Sequence, residues 1–102
     1  MITILNDRYQ QVCSQMIKNI LAAQNQKDKK SEAIERLKLA NFRVAYYEQF
    51  VPEYSEDQWG YKYYKSQVID NLWLKQAAVD LCIDADVDVD AEISQFNLAD
   101  FA

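Results

Sequence analysis

A chain of 102 residues with one Gly, one Pro, two Cys and no His is long enough for a single domain with a real core, and it lacks the turn residues that a multi-hairpin β fold needs. The absence of His leaves no ordinary Ser-His or Cys-His catalytic pair, and one Gly leaves no phosphate-cradling loop. The net charge of −5 is uneven: residues 76–102 hold seven acids (Asp80, Asp84, Asp86, Asp88, Asp90, Glu92 and Asp100) and no Lys or Arg, so all eleven bases lie on the rest of the chain. Such an end favours basic partners through a field screened beyond about 10 Å at ordinary salt.

The opening MITILNDRYQQ has neither a basic n-region nor an apolar h-region and reads as mature sequence. No stretch approaches the roughly 20 apolar residues of a membrane helix, so the expectation is a soluble, cytoplasmic protein with no membrane partner. Tyr9, Val12, Cys13, Met16, Ile17, Ile20 and Leu21 follow the spacing of one helical face and predict a first helix over about Asn6 to Gln24.

Asn25 to Lys30 is polar throughout and reads as a loop, with Asp28 or Ser31 available to cap the next helix. Glu32 and Arg36 form a favourable i, i+4 pair. From Glu32 to Val51 there are two apolar stripes: Ala33, Leu37, Ala40, Val44, Tyr47 and Val51 on one face, and Leu39, Phe42, Tyr46 and Phe50 on another. A helix patterned in this way requires neighbours on two sides. One expected answer is an oligomer interface formed by Leu39, Phe42, Tyr46 and Phe50. Pro52 ends the helix, having no N–H and biasing its predecessor away from the α region.

Ser55-Glu56-Asp57-Gln58 reads as a capping box opening a third helix, which continues through Tyr61, Tyr64, Val68 and Leu72, and alongside through Ile69, Trp73 and Ala77, to about Leu81. Gly60 near its start costs roughly 1 kcal/mol relative to Ala. Asp84 to Asp90 alternates acid with Ala or Val and reads as an extended connection. A short helix over about Val89 to Phe96 follows, and Phe96, Leu98 and Phe101 act as anchors. The expected architecture is all-α: an antiparallel three-helix bundle with a short C-terminal fourth helix or docked acidic segment, forming one domain over residues 1–102.

Cys13 and Cys82, set among apolar helical positions, read as two reduced buried thiols, with a disulfide between the first and third helices as the alternative. Asp84, Asp86, Asp88, Asp90 and Glu92 resemble a calcium loop in their two-residue spacing, but Val89 stands where the loop needs Gly and Gln95 where it needs Glu. Asp80 and Asp84, one helical turn apart, form a carboxylate pair that chance spacing also explains. No cofactor, no metal site and no enzymatic activity are expected.

The acidic run also fits recognition of a basic protein surface. In an extended segment alternate carboxylates stand about 6.6 Å apart, near two phosphate steps of a DNA strand. Tyr61, Tyr63 and Tyr64 belong to a dense aromatic cluster, and on a helix they cannot all face one core. Their interleaving with Lys62 and Lys65 resembles a stacking patch for single-stranded nucleic acid, but Glu53, Glu56 and Asp57 upstream oppose phosphate. Direct nucleic-acid binding is therefore not expected.

The sequence reading is a non-enzymatic protein–protein interaction module. Its first form is an acidic inhibitor or antagonist engaging a basic, nucleic-acid-binding surface of a partner protein, such as a phage-encoded inhibitor of a host defence protein. In this form Asp84, Asp86, Asp88, Asp90, Glu92, Tyr61, Tyr63 and Tyr64 are the contact residues. The alternative is a structural subunit of a homo-oligomer whose acidic tail keeps it soluble.

Overall fold

The computed structural model describes residues 3–102 and is all-α among them. Three long helices, α1 (Asn6–Asn25), α2 (Lys29–Glu48) and α3 (Trp59–Asp84), are followed by a short α4 (Val89–Gln95), with 3-10 turns at Val51–Glu53 and Leu98–Phe101. Among the described residues no helix is long and apolar enough to cross a membrane.

The two-striped α2 is the central helix. Its Phe42 and Tyr46 pack with Ile4, Tyr9, Val12 and Met16 of the N-terminal segment and α1, and Leu39 and Phe50 pack against the same cluster. Its Ala33 and Leu37 meet Ala78 and Cys82 of α3. Both neighbours run antiparallel to α2: Tyr9 stacks on Tyr46 at 3.7 Å between ring centroids, Asn19 donates to Glu35 at 3.4 Å, and Tyr64 near the start of α3 stacks on Phe50 at 4.7 Å.

The expectation that Leu39, Phe42, Tyr46 and Phe50 remain for an oligomer partner is therefore corrected. Phe42 has no exposed surface and Tyr46 is buried, because the second side of α2 is covered by α1 of the same chain. Both stripes pack within the chain, with Leu39 and Phe50 left half-buried at the edge of the cluster. Because α1 and α3 each spend their contacts on α2 and scarcely touch one another, α3 has a packed neighbour on one side only.

Helix ends follow local chemistry. Asp28 caps α2 by accepting from the Ser31 N–H at 3.1 Å. α2 ends at Glu48, three residues before the expected Val51, and Pro52 lies in the 3-10 turn beyond. The expected capping box is only half formed: the Gln58 side chain accepts from the Ser55 N–H at 2.7 Å, while the Ser55 hydroxyl bonds Asp57 at 2.8 Å. α3 accordingly begins at Trp59.

α1 and α3 end in the same way. The Asp28 N–H reaches back to the Ala23 carbonyl, and the Val87 N–H to that of Cys82. Each chain reversal places a non-glycine residue in the left-handed region, Lys27 at φ 56° and Asp86 at φ 58°.

The C-terminal segment docks as anticipated. Phe96, Leu98 and Phe101 pack on the α1–α2 cluster, and Arg8 fastens the segment by donating to the Phe101 carbonyl at 2.9 Å. Cys82 is buried, Cys13 is half-buried, and the two thiols are unpaired. Burial pushes both thiols up from their ordinary values, and the charge of Glu92 adds to the effect at Cys82.

Candidate interaction surface

The acidic segment is not an extended connection. α3 runs to Asp84, Asp86 makes the left-handed turn, and Asp88 caps α4 by accepting from the Ala91 N–H at 3.1 Å. Asp90 and Glu92 sit in the first turn of α4, where the exposed N–H groups favour negative charge. The alternation that suggests a strand has another cause. Ala85, Val87 and Val89 turn inward to close the end of the α2–α3 cluster, which directs Asp84, Asp86, Asp88 and Asp90 to solvent.

Ion pairing among the described residues is confined to α2, with Arg36–Glu32 at 2.9 Å and Lys38–Glu35 at 3.5 Å. The acids of the α3–α4 corner thus form no ion pair, although Lys29 lines the same hollow as Asp84. Among the described residues no three His, Cys, Asp or Glu side chains converge as a metal site. Asp80 of the Asp80–Asp84 pair accepts from Gln76 at 3.1 Å on the exposed side of α3.

The tyrosines part company. Tyr64 belongs to the packed corner, half-buried and stacking on Phe50 and, at 5.7 Å, on Tyr54. Tyr61 is half-buried. Tyr63 faces water, stacked at 5.1 Å on Trp59, which is 76% exposed. Tyr61, Tyr63 and Tyr64 lie at the start of α3 and the acidic corner at its end. A helix of 26 residues is about 39 Å long at 1.5 Å per residue, so the two groups do not form one compact surface.

Between them runs the feature missing from the sequence reading. Ile69, Leu72, Trp73, Leu74, Leu81 and Ile83 are all exposed on α3, Trp73 at 73% and Ile83 at 61%. The buried residues Val68, Asn71, Ala78 and Cys82 define the side facing α2, and the exposed apolar residues fall on both flanks and on the back. A surface helix ordinarily keeps its large apolar side chains on the covered side, and exposed ones gathered on one helix in this way mark a contact site. Its sequence signal is Ile69, Leu72, Trp73 and Leu74 within six residues, more than one neighbouring helix can cover.

On one flank a groove opens between α2 and α3, lined by Arg36, Leu39, Arg43, Leu74, Ala77 and Leu81. The Arg43 Nε there is buried without a hydrogen-bond partner, a costly state for a guanidinium nitrogen. No protein-family model matches this chain, and no curated protein or solved structure matches it either.

Proposed function

We propose that this protein is a non-enzymatic protein–protein interaction module with α3 as its contact surface. The observation that carries the reading is the row of exposed apolar side chains on α3, with Trp73 at its centre. Trp combines a large rigid apolar body with a hydrogen-bonding tip and is over-represented where binding energy concentrates. The acidic corner then steers partners and sets solubility, and it adds little to affinity once screened.

A photo-crosslinking residue at position 73 tests this reading in the source cells. The expected result is a discrete adduct, with the chain itself or with another protein, that is lost when Leu72 and Ile69 are replaced by Asp. Absence of any adduct at that position overturns it.

A second reading is favoured by the unpaired, solvent-facing acids Asp84, Asp86 and Asp90: an acidic antagonist that occupies a basic, nucleic-acid-binding surface of its partner. Replacing Asp84, Asp86, Asp88, Asp90 and Glu92 with Asn and Gln then slows association and flattens its salt dependence between about 50 and 500 mM salt, where the Debye length falls to roughly 4 Å. Association that is unchanged and insensitive to salt removes this reading and leaves the α3 surface standing.

A further inference from the structure

We propose that the partner of α3 is a second copy of this chain, paired antiparallel about a two-fold axis at Trp73; this rests on α3 being a contact surface. Along the back of the helix Ser66, Ile69, Trp73, Gln76 and Asp80 recur at intervals of three and four residues, the spacing of a straight seam against another helix. All five are exposed. Trp73 lies near the middle of α3, so two copies related by a two-fold axis through it overlap along nearly the whole helix.

Charge selects this arrangement over the parallel one. Toward the start of α3 the exposed charges on this side are Lys62 and Lys65, toward its end they are Asp80 and Asp84, and between them is Asp70, which falls opposite the partner's Gln76 in the antiparallel register. Lys62 and Asp84 stand eleven residues on either side of Trp73. In the antiparallel register Lys62 therefore falls opposite the partner's Asp84, and Lys65 falls within one turn of the partner's Asp80. A parallel pairing would set Lys against Lys and Asp against Asp. Two-fold symmetry forms each attraction twice, as a self-complementary interface requires.

Size is consistent as well. A stable interface buries about 800 Å² per partner, and a two-fold contact along nearly all of the about 39 Å of α3 covers Ile69, Leu72, Trp73 and Ile83, each of them exposed in the single chain. Trp73 meeting its symmetry mate at the axis supplies the large central side chain around which such interfaces concentrate their energy. The Arg36–Arg43 groove lies on a flank of α3 and stays open in this dimer.

Sedimentation equilibrium on the full chain between about 10 and 300 µM tests the proposal. The expected result is twice the 12.0 kDa chain mass at the upper end, with at least a tenfold weaker dimer for Trp73→Glu and unchanged helicity by circular dichroism. The charge-reversed chains K62E/K65E and D80K/D84K should each be monomeric alone and should form a one-to-one heterodimer when mixed. That rescue separates a specific antiparallel register from non-specific apolar association and from misfolding. A monomer at 300 µM overturns the self-pairing, as does a dimer indifferent to Trp73→Glu or mixed variants that fail to pair. A crosslink from position 73 to a different protein in the source cells would still support the α3 contact surface, so the two failures are distinguishable.

Discussion

Gln49 holds Ile4 by both of that residue's backbone groups: the Ile4 N–H donates to Gln49 Oε1 at 2.8 Å, and Gln49 Nε2 donates to the Ile4 carbonyl at 2.7 Å. The side-chain amide imitates a strand partner for a segment that has none. It thereby fastens Ile4, among the most buried side chains in the protein, over the α1–α2 core. Gln49→Ala leaves both backbone groups to find water in a half-buried place and should cost about 1–3 kcal/mol, a fall in Tm of several degrees for a domain of this size. Gln49→Glu keeps the acceptor, loses the donor and sets a carboxylate against the Ile4 carbonyl, so it should also destabilise. Thermal melts of the two variants check both statements.

Gly60 is required by Tyr54. A Cβ at position 60 would stand 2.6 Å from Tyr54 Cδ1 and Cζ, inside van der Waals contact, so Gly60→Ala should destabilise in spite of the better helix propensity of Ala. The reverse holds at the end of α1. Lys27 occupies the left-handed region at φ 56°, where a Cβ is strained and Gly is not, so Lys27→Gly should stabilise by about 0.5–1 kcal/mol. Urea unfolding midpoints of opposite sign relative to the parent chain are the expected result.

The pH dependence has two limbs. The Asp28 carboxyl is held below its ordinary value by the hydrogen bonds from Ser31, and that of Glu32 by the Arg36 guanidinium and then Gln24. A depressed carboxyl contributes stability that is present above its unfolded pKa, near 4, and is lost as pH falls through the lower folded value.

On the alkaline side, burial above all raises the Tyr9 hydroxyl, and its hydrogen bond with Tyr47 adds to the shift. A group raised in this way contributes stability that is full below the unfolded value, about 10 for Tyr, and is lost as pH climbs toward the folded one. Tm should therefore be level between about pH 5 and 9 and fall on either side. Asp28→Asn should flatten the acid limb and Tyr9→Phe the alkaline limb, and melts in a series of buffers measure both.

The sequence by itself determined the helices, because a period of 3.6 residues and polar breaks are local properties. The break between the first two helices, the two stripes of α2 and the C-terminal anchors Phe96, Leu98 and Phe101 followed from residue type and spacing and stand in the structure; the expected loop over Asn25 to Lys30 narrows to residues 26–28, and of the two candidate caps, Asp28 and Ser31, it is Asp28 that caps α2. What covers each stripe was decided only by the tertiary structure. Leu39, Phe42, Tyr46 and Phe50 pattern identically whether they meet α1 or a second chain, and the close packing of α1 on α2 makes Phe42 and Tyr46 core with Leu39 and Phe50 half-buried at its edge. The acids from Asp84 to Asp90 lost their strand-like reading for the same reason, since Ala85, Val87 and Val89 face inward only where the start of α2 meets the end of α3. The apolar back of α3 emerged only in three dimensions, because periodicity says how many faces a helix shows and not how many of its neighbours arrive.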